Sequence, residues 1–267
     1  MRRLLPPAWA ALTFALLAAT APRQGIGRDE SVYLVAGESY ARFWGALPRA
    51  PGAALAGLDR AFAVNREHPA LTKDLYGAAH ALFADALGWA GHLQAARLGA
   101  FAFGALLSAL LAAAGLELAG AAGGLLAPAL FWAVPRHFYH GHPAALDLPI
   151  TALWLAVVLA WRRSLAPAPR PAALRRAALA GLAFGAALAV KHNAWFLPPL
   201  LAAHWAASRW IARRLGEAGP GPPAALAAMA LLGPAVLVAT WPWLWRDTAA
   251  RLGAYLAFHL HHENYSW

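Results

Sequence analysis

The sequence predicts an all-α polytopic membrane protein with about seven transmembrane helices, each span needing about 20 apolar residues. Three observations predict it. First, the 267 residues are 61% hydrophobic and 13% charged, with mean hydropathy +0.48, where soluble domains run at roughly 45–50% apolar and about 25% charged. Second, the apolar residues fall in successive blocks of near-span length. Third, the basic residues sit mostly between those blocks, so the net charge of +10 reads as a record of topology and not as a nucleic-acid surface. The 13 Trp suit a chain with two membrane interfaces to anchor. The absence of Cys excludes disulfides, Cys-ligated zinc, iron–sulfur clusters and a thiol nucleophile.

The first block, 4–21, follows Arg2 and Arg3. It has the plan of a signal peptide, with a small-residue site at Ala19-Thr20-Ala21, but it is long for an apolar h-region of about 7–15 residues and reads as a span. A long first outer loop follows over 22–97, in which the semi-apolar stretch 75–90 is expected to lie on the membrane surface. Further spans are expected over 98–116, 121–135, 144–161, 177–190, 195–211 and 224–241, and 242–267 reads as an outer surface helix and tail. The whole chain is one transmembrane domain in this reading.

Alternating the spans from an inside N-terminus puts Arg2, Arg3, the five arginines of 162–176 and Arg209, Arg213 and Arg214 on the cytoplasmic side, as the positive-inside tendency requires. All 12 acids but Glu117 and Glu217, and all 11 histidines but His204, then fall outside or at outer span ends. Acids contribute little to orientation, so this gathering points to chemistry on the outer face. The expected location is a bacterial-type inner membrane, with the site toward the periplasm.

Four clusters carry that chemistry. Asp29 and Glu30, with Tyr33, Glu38 and Tyr40 beyond, offer paired carboxylates for a general base or a metal. The run from Asn65 to Lys73 holds Glu67, His68 and Lys73 within seven residues, able to ligate a metal or grip an anion. Arg136, His137, His140 and His142 lead to Asp147 at the mouth of a span, and an ionisable group at membrane depth is functional by default. Lys191, His192 and Asn193 occupy a tight hairpin between two apolar runs, where a cation faces the headgroup layer. A fifth group, His259, His261, His262 and Glu263, lies on or beyond an amphipathic segment at 246–262. There is no Walker loop and no GxGxxG.

Taken in order, these motifs resemble the protein O-mannosyltransferase (dolichyl-phosphate-mannose–protein mannosyltransferase) and aminoarabinose-transferase branch of the GT-C glycosyltransferases. Asp29-Glu30 matches that family's Asp-Glu pair, and His68-Pro69-Ala70-Leu71-Thr72-Lys73 its His-Pro-Pro-Leu-Gly-Lys motif, with Ala70 and Thr72 departing from it. Arg136 with Leu146-Asp147-Leu148-Pro149, and Val190-Lys191-His192-Asn193, match the third and fourth features. The resemblance implies an inverting transfer of a sugar from a polyprenyl-phosphate donor to a lipid, protein or glycan acceptor, with no nucleic-acid partner. In that scheme Asp29 is the catalytic base beside Glu30, and Lys73, Arg136 and Lys191 hold the donor phosphate. His68, Asp147, His192 and Asn193 line the substrate site, and Glu67 with His262 holds a divalent metal. The family carries further spans or an outer domain after its seventh helix, so the resemblance also implies a truncated chain. Two alternatives stand beside it: a histidine-rich metal enzyme of di-iron oxidase type, drawn from His137/His140/His142 and His259/His261/His262, and a secondary transporter.

The arginine partition predicts the orientation of this Cys-free chain. A membrane-impermeant maleimide should label Ser39→Cys in intact spheroplasts and spare Ser164→Cys; the reverse pattern would overturn the outer-face assignment.

Overall fold

Breaks bearing Pro and Gly divide the apolar chain into helices. The computed structural model describes residues 2–221 and 223–261, and among them there is helix and no strand. In chain order the helices are α1 (Leu5–Thr20), α2 (Arg28–Ala46), α3 (Pro51–Ala56), α4 (Leu58–Ala61), α5 (Leu71–His80), α6 (His92–Ala133), α7 (Pro135–His140), α8 (Asp147–Leu165), α9 (Arg170–Leu188), α10 (Leu197–Arg214), α11 (Ala224–Thr240) and α12 (Thr248–Leu260). A π-helical turn, Ala81–Ala86, extends α5. Prolines open α1, α3, α7, α9 and α10 within their first two positions, where a missing N–H costs no hydrogen bond.

The all-α expectation holds, but the count of about seven spans is corrected. Among the described residues three helical stretches are long and apolar enough to cross a membrane: Arg2–Arg23, His92–Ala133 and Asp147–Leu165. The expected span 98–116 lies within α6, and 121–135 covers its last leg and runs two residues past its end. There Ala119 (φ −139°) and Gly120 (φ 63°) leave helical geometry, and the left-handed φ at Gly120 is one that a Cβ would disfavour. The chain doubles back at this point. Cβ atoms built on Gly115 or Gly123 would overlap the other's backbone, and Trp132 Nε1 donates to Ser108 Oγ across the two legs at 2.7 Å. Ser108 also pairs with Thr13 Oγ1 of α1 at 2.7 Å, a polar link of the kind that joins buried helices in lipid. The expected spans 177–190 and 195–211 fall in helices that carry Arg170, Arg175 and Arg176, or Arg209, Arg213 and Arg214, within their own length. Helix α11 is apolar but only 17 residues long.

Among the described residues two apolar cores are the largest. One joins α8, α9, α10 and α11 through Ile150, Leu153, Trp161, Phe184, Leu197 and Met229. The other gathers Tyr40, Phe43, Leu58, Phe62, Trp241 and Tyr255, binding the α2–α4 region to the chain around α12. Backbone contact helps here too: Leu71 N donates to Ala189 O at 3.1 Å, tying the start of α5 to the end of α9.

A fully enclosed ion pair joins α2 to α6. Arg97 of α6 meets Glu30 of α2 through Nε–Oε1 and Nη2–Oε2, both 2.7 Å, with both side chains at 0% exposure. The remaining hydrogen-bonding capacity is used. Glu30 accepts from Gly27 N and Ala144 N at 2.8 Å, while Arg97 donates to Gln24 O at 3.0 Å and Gly25 O at 2.7 Å. Burial by itself would raise the Glu30 pKa, but the hydrogen bonds from Arg97, Gly27 and Ala144 outweigh it and hold the carboxyl below its ordinary value.

A carboxyl depressed in the folded state contributes stability above its unfolded value, near 4.5, and loses it as pH falls through the lower folded value. Detergent-solubilised protein should therefore lose thermal stability on acidification below about pH 4.5, and Glu30→Gln should flatten that dependence. Arg97→Met, which strands the carboxylate, should destabilise by about 3–5 kcal/mol. A Tm in Arg97→Met within a degree of the parent would contradict the clamp.

Candidate metal centre

Helices α2 and α5 cross at Gly37 and Gly77. A Cβ on Gly77 would overlap the Gly37 carbonyl, and one on Gly37 would sit 2.7 Å from Lys73 O, so only two glycines permit this approach. The crossing brings Glu38, one residue past Gly37, against His80 at the end of α5: Glu38 Oε1 lies 3.8 Å from His80 Nε2. The helix then widens. Leu87 N donates to Leu82 O at 3.0 Å, an i to i+5 bond of the π type, and such turns are frequent at functional sites. The wider turn swings Asp85 beside its i−5 neighbour, with Oδ2 3.5 Å from His80 Nδ1. After the turn at Gly88 (φ 64°) the chain re-enters helix at His92, whose Nδ1 lies 2.6 Å from His80 Nε2.

His80, Asp85 and His92 thus form a set whose ligand atoms all lie within 4.8 Å of one another, a cluster able to hold a divalent metal ion. His80 is buried, while Asp85 and His92 are exposed. The two nitrogens of His80 face different partners. A carboxylate at Nδ1 favours a proton there and leaves the Nε2 lone pair toward His92 and Glu38, the way an outer carboxylate sets a metal-binding histidine. The donors at Nε2 are then two imidazole nitrogens with the Glu38 carboxylate. Two His and one carboxylate, with a further position open, suit zinc and related transition ions better than the all-oxygen shells of calcium or magnesium. At metal–nitrogen distances of about 2.0–2.1 Å a tetrahedral ion separates its ligand nitrogens by roughly 3.3 Å. A small rotation of the exposed His92 ring supplies that gap. Cavities open on both sides. One of about 190 Å³ has apolar walls from Ile26, Leu34 and Leu93, and one of about 580 Å³ is lined by Glu38, Arg42, Arg49, His80 and Asp85.

Set against protein-family models, curated proteins and solved structures, the chain matches none. Function therefore rests on the site. The metal-ligating set overturns the expectation of a lipid-donor glycosyltransferase, and with it the polyprenyl-phosphate donor and sugar-acceptor partners; of the readings weighed from sequence, a histidine-bearing metal protein is the one the cluster favours. The divalent metal was anticipated, but its ligands were not. They had been expected at Glu67 and His262, and His262 lies outside the described residues. Of the histidines that suggested a di-iron enzyme, His142 and His137 are engaged elsewhere. His142 uses both ring nitrogens, with Thr20 Oγ1 and Phe138 O at 2.8 Å, and burial lowers its pKa. His137 stacks on Phe131.

The other sequence-picked residues divide into two groups. Asp29, Glu30, Glu67 and Asp147 border one cavity of about 510 Å³ together with Tyr139 and His140. Asp29 is exposed there, whereas Glu30 belongs to the Arg97 clamp. Lys191 Nζ is paired with Asp147 Oδ1 at 2.8 Å, and Arg136 is exposed on α7. Lys73 is enclosed, donating to Asn65 O, Asn65 Oδ1 and His68 O at 2.7–3.0 Å; burial pulls its pKa down to about 7, against which three acceptors favour the ammonium. Burial likewise raises the neighbouring Asp74 to about 7.

The second group is a stack of imidazoles. The His192 ring lies 3.8 Å from His259 and 6.4 Å from His68, and His259 Nε2 donates to Glu67 O at 3.0 Å. Burial and then the nearby Lys73 and Lys191 lower His68 to about 3, so it is neutral at physiological pH. Asn193 Oδ1 is buried with no hydrogen-bond partner among the described residues.

The glycine crossing sets the Glu38–His80 distance, so it yields a test. Gly77→Ala should force α2 and α5 apart, lowering stability by about 1–3 kcal/mol, as overpacking generally does, and weakening metal retention. Ala78→Ser, one position on at an exposed site, should do neither. Thermal unfolding with metal analysis of both variants checks it.

Proposed function

We propose that this protein is a membrane-integrated metal protein that holds one divalent transition ion at His80, His92 and Glu38, with Asp85 positioning His80, and that the ion serves a metal-dependent enzymatic reaction. The observation that carries the reading is the convergence of His80, His92 and the Asp85 carboxylate within 4.8 Å, around a histidine that is 7% exposed, with Glu38 Oε1 a further 3.8 Å from His80 Nε2. A bound ion of this class supplies Lewis acidity to an oxygen ligand at its open position. The chain's own contribution is positional. Asp85 selects the His80 tautomer, the α2–α5 crossing holds Glu38, and the α6 start presents His92. An outer-face orientation of this segment is part of the proposal and is supported by the arginine partition. Likewise, the motif order shared with the mannosyltransferase and aminoarabinose-transferase family is offered as a proposal about descent, and no sugar-transfer activity comes with it.

Purified protein, stripped and reloaded with zinc or cobalt, should bind one equivalent. His80→Ala and His92→Ala should abolish that binding, and Asp85→Asn should weaken it about 10–100-fold as loss of an outer-shell partner does. Full metal affinity in His80→Ala would overturn the reading. For orientation, Ser31→Cys is the better reporter, because Ser31 is exposed whereas Ser39 is half-buried and donates to Ala61 O.

A further inference from the structure

Two arginines line the larger cavity beside the metal ligands. The cavity holds about 580 Å³ and is lined by Glu38, His80, Asp85, Arg42 and Arg49 together with small residues such as Gly45, Ala46 and Gly77. Glu38, Arg42, Arg49, His80 and Asp85 are the titratable residues among those lining the cavity. Arg42 lies one helical turn from Glu38 with a loose 3.8 Å contact, and Arg49 Nη1 reaches Gly45 O at 3.1 Å. Both guanidiniums have further N–H donors to offer, since Arg carries five.

Glu38 and Asp85 together offset a divalent ion, so the two guanidiniums that border the same cavity add net positive charge beside the site. An anion that binds here can coordinate the ion through one oxygen and accept hydrogen bonds from the guanidiniums through others, an arrangement that planar Arg forks favour. A tetrahedral dianion meets the charge and offers enough oxygens to reach the ion and both guanidiniums at once.

We propose that the metal site takes a phosphate group as its ligand, bridging the ion and the guanidiniums of Arg42 and Arg49. The proposal rests on the metal reading above and names the substrate class of that same site. The phosphate has two candidate sources, a soluble phosphate ester and an anionic lipid headgroup. The second is raised by the exposed Leu82, Leu87 and Trp89 on the turn that carries Asp85, adjoining a helix long and apolar enough to span a membrane.

The test uses the full-length chain loaded with cobalt(II), whose visible spectrum reports its ligands. Inorganic phosphate is titrated into protein held in phosphatidylcholine nanodiscs, and in a separate arm the nanodiscs contain phosphatidic acid with no added phosphate. A saturable spectral change in either arm is expected, the stronger arm naming the source. Arg42→Gln and Arg49→Gln should each weaken that response about tenfold while cobalt affinity stays within about threefold of the parent, which also shows that the variants fold. Cobalt binding with no response to phosphate in either arm, or equal responses in parent and both variants, would overturn the phosphate proposal alone. Failure of the parent chain to bind cobalt would overturn the metal reading, and this proposal with it.

Discussion

The Glu30–Arg97 pair is the constraint on which the remaining geometry depends. A carboxylate and a guanidinium withdrawn from water are a net burden unless every donor and acceptor is matched. Here the matching partners come from four places in the chain: Gly27, Gln24 and Gly25 in the link before α2, Ala144 in the link before α8, and the two helices themselves. Satisfying one side chain therefore fixes the end of α1, the start of α2, the first turns of α6 and the approach to α8. Because α2 also carries Glu38 and α6 also carries His92, the same clamp sets the distance across which the metal cluster forms.

That cluster is assembled by backbone exceptions. Ordinary α-helix from Leu71 onward would carry Asp85 around to another face from His80, and a pair of residues with Cβ atoms at positions 37 and 77 would hold Glu38 away. The π turn and the glycine crossing remove both obstacles. Exposed groups on a mobile loop would give a looser set. Here the central ligand, His80, is buried and held by helix on both sides of the crossing.

A second arrangement, the imidazole stack of His68, His192 and His259 with its two lysines, lies in a different part of the fold. It joins the segment before α5, the turn after α9 and α12, three regions that the sequence motifs had already marked. Asp29, Glu67 and Asp147 do share a cavity, as their common membership in one site would require. Lys73 and Glu30, however, have their hydrogen bonds filled by protein groups, because each is enclosed by the chain segment that folds over it.

The sequence by itself determined the helical class, the apolar character of α1, α6, α8 and α11, and the polar nature of the region between α1 and α6. These follow from composition and block length, which are local properties. It overstated the spans, since hydropathy counted the arginine-bearing α9 and α10 as equal to α6. It named Glu38, and the resemblance implied a divalent metal, though at Glu67 and His262; His80, Asp85 and His92 were passed over as scattered polar residues, because a His-x4-Asp-x6-His spacing matches no α-helical face. Only the tertiary structure decided that these groups meet. Their approach depends on a π turn, a chain reversal and two helices touching at glycine, and each of those is set by long-range packing and invisible to a pattern read along the chain.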